Sequence, residues 1–300
     1  MNPSAPDWLS EGLGDGPPPR LRWSFTTDGP LVDLAVARET GDVLAGDETG
    51  GLYRLDRRGR VQGVSRGFRS LDGLAWSDTG RHGAAILGRE TVCLYDNRLE
   101  IQWRIDLRDT VTALAIDPRG NYVGIGLEGR RVAVYTAAKQ RVARFATLRP
   151  LTKLVFLVSV PELLGAAEAG LLGRFRLNGD EVWAGTDWSN IGDLCATTDG
   201  STVFVAAFTH GIRIVSAAGQ SSGAYLVEGT PARVATTASG QRLIAATVER
   251  RLYWMDAEGS LLWTTTLPDD VVRLACDPLG RWTICGLAGG RIVRLDWPDE

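Results

Sequence analysis

The sequence predicts an all-β fold made of repeated four-stranded units, and three observations carry that prediction. Written in rows of forty from Leu31, the 300 residues align Leu34, Leu74, Leu114, Leu154, Leu194, Val234 and Leu274 in one column. The next column is small or slim throughout: Ala35, Ala75, Ala115, Val155, Cys195, Ala235 and Ala275. Second, each row holds four short apolar runs, such as "VTALAID", "YVGIGLE", "RVAVYT" and "RVARFAT", separated by turns such as "DPRGN". Short runs rich in Val, Ile and Leu, bounded by Gly, Pro, Asp and Asn, read as strands, and no helical periodicity is sustained long enough for a core helix. Third, tryptophan recurs at Trp23, Trp103, Trp183 and Trp263, spaced by two rows each time. Four strands per forty residues is the pattern of a β-propeller blade.

The first element is a tail, residues 1–20, outside the repeat. Ser4 and Asp7 form a short capping signal, Pro6 fits a first helical turn, and Gly12 could stop the helix after two turns. Trp8, Leu9 and Leu13 are its apolar groups, and "GDGPPPR" is a stiff, extended spacer. Whether this tail is free or docks is left open, and removing residues 2–15 is expected to change stability little. Rows then begin at Leu31, Leu71, Val111, Leu151, Ile191, Pro231 and Val271. A turn glycine recurs at Gly80, Gly120, Gly200, Gly240 and Gly280, and one residue late at Gly41. Row four reads "LVSVPELL" there, so its turn should be built differently. Row seven stops at Glu300 after three strands, and the phase of its missing strand falls on residues 21–30, "LRWSFTTDGP". The expected architecture is therefore a seven-bladed β-propeller of residues 21–300, with four antiparallel strands per blade. Blade seven combines 271–300 with 21–30, so an N-terminal outer strand closes the ring without an open seam.

Two propeller families show the same pattern. "ALAIDPRGNYVGIGLEGRRVAVY" resembles a WD-repeat blade, and "LYWMDAEGSLLWTTTL" resembles the repeat of quinoprotein-type, pyrroloquinoline quinone-like propellers. The resemblance covers residues 21–300 and implies the ring architecture. No Trp-Asp dipeptide occurs and no Gly-His pair opens a repeat. Quinone binding in the second family implies eight blades, a metal site and a vicinal disulfide. Seven rows without a Cys-Cys pair imply no such cofactor here.

Composition narrows the function classes. Net charge is −3 and arginine supplies 31 of the 33 Lys and Arg residues. A phosphate-neutralising surface is not indicated, which argues against nucleic-acid binding. No apolar run is long enough for a membrane span, and the first residues do not read as a signal peptide. Cys93, Cys195, Cys276 and Cys285 all fall in predicted strands, where they act as small hydrophobes. Cys276 and Cys285 flank a turn, but hairpin register puts them out of line. Four free thiols, a cytoplasmic location and a monomer are expected.

Motifs with chemical meaning are mostly misplaced. "GIGLEG", Gly124–Gly129, matches a nucleotide-binding glycine pattern, but the repeat makes it strand, turn, strand rather than strand and helix. "GVSRG", Gly63–Gly67, matches a nucleophile elbow, yet Ser65 lies in an outer strand and His82 in a turn on the opposite face. A metal-dependent hydrolase with its site in the central channel is one alternative. The column that begins the inner strands reads Asp33, Gly73, Ala113, Lys153, Asp193, Arg233 and Arg273. Two carboxylates among three cations make a self-compensating ring, not an acidic cage for calcium or zinc. A structural subunit of a larger bacterial assembly is another alternative.

The favoured reading is a non-catalytic scaffold or recognition module for a protein or peptide, with no catalytic, cofactor or metal residues. Row five carries the most distinctive loops of one face. "TDWSN" brings Trp188 and "FTHG" brings Phe208 and His210, with Lys153 and Asp193 at nearby inner-strand starts. Loop aromatics of this kind dominate interface energetics, so these five residues form the expected partner-binding sector.

Overall fold

The computed structural model describes residues 6–186, 188 and 190–298. Seven four-stranded sheets are present, and in six of them the strands follow one another in chain order from the innermost to the outermost. Blades 1 to 6 begin with the inner strands Leu31–Ala37, Leu71–Trp76, Val111–Ile116, Lys153–Phe156, Ile191–Ala196 and Pro231–Thr236. Blade 7 consists of Val271–Cys276, Trp282–Leu287 and Arg291–Asp296, completed by Arg20–Thr26. That N-terminal strand runs antiparallel to Arg291–Asp296, from the pair Arg20 with Asp296 to the pair Thr26 with Arg291. Both chain ends thus share one sheet, as the row phasing requires.

The cores lie between blades. Ala37, Leu44 and Leu52 of blade 1 pack with Leu71, Leu74 and Trp76 of blade 2, and Phe204 and Ala206 of blade 5 with Val234 and Leu243 of blade 6. Sheets this close demand small residues. A Cβ on Gly126 would sit 2.8 Å from the Leu151 carbonyl oxygen of the next blade. The glycines of "GIGLEG" are therefore spent on strand Tyr122–Leu127 and its packing, and Ser65 ends the outer strand Val61–Ser65, where its Oγ accepts the Gly67 amide. His82 begins the second strand of blade 2 rather than lying in the turn before it, and its Nδ1 is 3.0 Å from the Gly120 carbonyl oxygen.

Turns follow the sequence pattern closely. Gly80, Gly120, Gly200, Gly240 and Gly280 each donate an amide to the carbonyl three residues earlier. Row four indeed differs: Glu162 N donates to Val160 O, while Ser159 N keeps the bond to the next blade, at Thr198 O, that Glu39 and Thr79 make to Asp78 O and Pro118 O. The four cysteines are free; Cys276 pairs in register with Thr283, and Cys285 with Leu274.

The tail departs from expectation. Its helix is a single turn, Asp7–Ser10, with Pro6 at the cap position and no side-chain cap; Ser4 lies outside the described residues. Trp8 and Leu9 are buried in the core shared by blades 6 and 7. Leu13 exchanges two backbone hydrogen bonds with Thr264, at 2.8 and 2.7 Å, and Gly16 N donates to Leu262 O. The segment is thus a strap paired along the outer strand of blade 6. This corrects the expectation that residues 2–15 contribute little to stability, because two large apolar side chains leave water only through the strap.

Candidate functional site

One face carries the loops that join second to third strands and those that lead from one blade to the next. Backbone bonds tie the two loop types together: Glu128 N to Thr110 O, Phe208 N to Asn190 O and Val248 N to Thr230 O. In blade 1 the loop pair is sealed by Asp47. Its carboxylate accepts the Gly29, Thr49 and Gly51 amides and the Thr49 and Tyr53 hydroxyls. Burial works against that ionised carboxylate, yet the hydrogen bonds prevail and hold it below the usual range. Blade 5 has Ala207 in the same column, so its loops lack this polar seal.

Blade 6 ties its loops differently, with the Thr230 amide and hydroxyl donating to the Glu249 carboxylate, and several apolar side chains of blades 5 and 6 face solvent. Phe208 is 38% exposed, and its ring and Ala232 of blade 6 both approach Gly192. His210 is exposed, its amide bonded to Ala207 O. Leu226, at 86%, and Val248, at 59%, are exposed on the same face. Sequence reasoning missed both, because each directly follows a strand and reads as its continuation. Trp188 sits differently. It is half-buried against the core between blades 4 and 5, with the Arg213 guanidinium 5.9 Å above its ring. Trp188 and Phe208 therefore flank blade 5 on opposite sides, and the other residues of "TDWSN" that the loop reading used, Asp187 and Ser189, lie outside the described residues.

Lys153 and Asp193 stand at the mouth of the central channel. A β-bulge separates the first and third positions of the inner strand in blades 1, 2, 3, 5, 6 and 7. Bulges re-aim side chains, and the third position lines a channel cavity of about 450 Å³ through Asp33, Gly73, Ala113, Lys153, Asp193 and Arg273. Arg233 does not line it. Its Nε and Nη1 turn back to the Val272 and Ala232 carbonyl oxygens.

The two carboxylates are inter-blade ties. Asp33 accepts the Leu34 amide and, across the blade boundary, the Leu74 amide, both at 2.8 Å. It also takes two guanidinium hydrogen bonds from Arg273, at 2.9 and 3.0 Å. Asp193 accepts the Val234 amide of blade 6 at 3.3 Å, the counterpart of the bond from Leu74. The Asp33 oxygens are thus committed to backbone and arginine, whereas Asp193 holds one amide and stands as the counter-charge nearest Lys153. Among the described residues, no three His, Cys, Asp or Glu side chains gather as a metal-binding group. Burial pulls the Lys153 ammonium below the usual lysine range, with Asp193 acting in the opposite sense.

No known family profile matches the sequence, and no curated protein matches it. Among solved structures, the β-propeller domain of Cps50 (Swd1) from Myceliophteria thermophila is similar, with a TM-score of 0.79 and 18% sequence identity. The match covers 94% of this chain and 100% of that one. At that identity the likeness is one of fold: the chain is a seven-bladed β-propeller.

Proposed function

We propose that the protein is a non-catalytic recognition ring that holds a protein or peptide partner on the loop face of blades 4 to 6. The observation that carries this reading is the exposure of Phe208, Leu226 and Val248 in loops of blades 5 and 6 on one face. Strand residues are occupied by inter-blade burial, so loops are the surface free to serve recognition. Trp188, backed by the blade 4–blade 5 core, is the pre-ordered aromatic anchor, and His210 adds a polar edge. Lys153 and Asp193 mark the inner border of the sector at the channel mouth. Four free cysteines, three of them buried, suit a compartment where thiols stay reduced, as in cytoplasm. No described helix is long and apolar enough to cross a membrane.

Affinity capture from the native host, run in parallel with wild type, Trp188→Ala/Phe208→Ala and Glu90→Ala, tests the sector. A partner retained by wild type and Glu90→Ala but weakened by about 2 kcal/mol or more in the double variant supports it. A partner that keeps the double variant and loses Glu90→Ala moves the site to blade 2.

A further inference from the structure

Charge is spread unevenly around the ring. Residues 111–150, which build blade 3, hold seven Lys and Arg against two Asp and Glu, whereas no other row of forty has more than one cation in excess. Elsewhere strand arginines find carboxylates, as Arg54 does with Asp42 at 2.7 Å, Arg174 with Glu162 at 2.5 Å and Arg294 with Asp296 at 2.6 Å. None of the blade 3 cations makes an ion pair or a side-chain hydrogen bond among the described residues. The outer turn shows where the counter-charge is lost. Blades 1, 2 and 6 build it around Asp56, Asp96 and Asp256, whose carboxylates accept the amides two and four residues on. Blade 3 has Thr136 instead, whose Oγ1 accepts the Gln140 amide at 3.1 Å, so the turn keeps a bond and gives up a negative charge.

The two outer strands of the blade, Arg131–Thr136 and Arg141–Ala146, gather these cations. Arg131 lies across from Ala146, Ala133 from Arg144 and Tyr135 from Arg141. Alternate residues along a strand share a face, and so do residues opposed across a pair. Arg131, Arg141 and Arg144 therefore stand on the face that Tyr135 packs toward blade 2. All three are exposed, as are Arg130 just before this ribbon and Lys139 in its turn. Of the acidic groups nearby in the fold, Asp117 holds the Arg119 and Tyr122 amides, and Glu128 and Asp109 belong to the loop end, where Asp109 accepts the Gly129 amide. Like charges on one face of a strand pair are unfavourable.

We propose that the outer ribbon of blade 3 docks an acidic segment of a partner protein, an extended run rich in Asp and Glu. The ribbon's strands are six residues long, about 20 Å at ~3.3 Å per residue, so a segment of about that many residues runs their length. Its carboxylates supply the counter-charge that the blade lacks. The strip is one blade wide, and rows two and four on either side each carry two more carboxylates than cations. A nucleic acid longer than the strip meets those repelling neighbours, whereas a short acidic segment does not. This surface is separate from Trp188 and Phe208, and stands whether or not they contact a partner.

Fluorescence anisotropy of the full chain tests this with three labelled probes: a peptide of alternating Glu and Asp, its Gln and Asn counterpart, and a short oligothymidylate. Two triple variants remove the same charge from exposed positions, Arg131→Gln/Arg141→Gln/Arg144→Gln in blade 3 and Arg57→Gln/Arg58→Gln/Arg69→Gln in blade 1. The expected result is saturable binding of the acidic peptide to wild type that weakens as salt rises and the Debye length shrinks. The neutral peptide should not bind. The blade 3 variant should weaken the acidic peptide about tenfold, the scale of three exposed charge contacts, and the blade 1 variant less than about twofold. No saturation by the acidic peptide on wild type overturns the proposal, and so does an equal loss in both variants, which would reflect net charge alone. Tighter binding of the oligothymidylate replaces the protein segment with a nucleic acid. A salt-sensitive dimer in sedimentation that the blade 3 variant abolishes replaces it with a second copy of this chain. Either result overturns the proposed occupant.

Discussion

Trp23, Trp103 and Trp183 on one side, and Trp263 on the other, occupy the same column of the repeat and do different things. The first three are outer-rim latches. Their indole Nε1 groups donate to Arg57, Ala137 and Ala217 carbonyl oxygens of the following blade, at 3.1, 2.8 and 2.9 Å. Those acceptors share one column of the repeat as well. The next blade makes room through its turn: Gly219, at φ 78°, would place a Cβ 2.6 Å from the Trp183 ring. Trp263 has Trp297 in the acceptor column, yet its Nε1 is buried without a partner. Its ring meets Trp297 edge to face at 5.7 Å, Trp297 stacks on Trp254 at 4.3 Å, and the strap residue Gly12 covers the indole.

Magnitudes show why Trp263 tolerates the lost bond. A buried tryptophan removes roughly 150–250 Å² from water, about 4–6 kcal/mol at ~25 cal/mol per Å². The unmade hydrogen bond costs about 1–3 kcal/mol. Burial wins, but the strap junction carries three such orphans: Trp8 Nε1, Trp263 Nε1 and Thr264 Oγ1. The strap is held by apolar area more than by polar fit.

The comparison can be broken most severely at Trp23. Deleting residues 21–27 removes a latch and the strand that closes blade 7. Aggregation or a melting temperature lowered by more than about 10 °C is expected in a thermal scan. An unchanged, monomeric melt would mean that the ring closes without this strand.

Deleting residues 2–17 should have the next largest effect. Losing the burial of Trp8 and Leu9, partly offset by freeing the orphaned donors, should cost about 3 kcal/mol in denaturant unfolding. Trp8→Ala should reproduce most of it. A loss below about 0.5 kcal/mol would show that the strap is not docked in solution.

Thiol chemistry separates the two regions further. Burial pushes the Cys93 thiol, in blade 2, up to about 11 and that of Cys285, beneath the strap, up to about 12, from an ordinary value near 9. Because these folded values are raised, the stability they contribute is complete below pH 9. It is lost as pH rises, through about 11 for Cys93 and about 12 for Cys285. Alkylation mapped by mass spectrometry should be slow at all three buried thiols at pH 8. Strap deletion should accelerate it at Cys276 and Cys285 and leave Cys93 unchanged. Equal acceleration at Cys93 would mean global loosening instead.

The smallest effect is spectroscopic. In a proton–nitrogen correlation spectrum, the indole N–H of Trp263 should lie upfield of those of Trp23, Trp103 and Trp183, since it alone has no acceptor. Strap deletion should move it toward them and speed its exchange with water. Four equivalent indole signals in the full chain would remove the distinction.

The residues explain which parts were legible. A repeated blade writes each contact seven times, so the Leu34 and Ala35 columns, the turn glycines and the closing strand at 21–30 emerge from alignment of the chain with itself. The column Asp33–Lys153–Arg273 was equally visible, and the structure puts its members on the channel with Arg233 folded away. Leu226 and Val248 were hidden by their continuity with strands, and Trp188 could not be placed without the blade 4–blade 5 core behind it.

By itself, then, the sequence determined the number of blades, their strand order, the seam and the free thiols, since period, turn chemistry and register act locally and repeat. The tertiary structure decided where the tail lies, that Trp263 gives up its hydrogen bond, and that Lys153 lines the channel with Asp193 as its counter-charge. Each of these depends on groups brought together across blades, such as Trp8 with Trp263 or Lys153 with Arg273, and burial of a polar group is a property of such an assembly rather than of any stretch of chain.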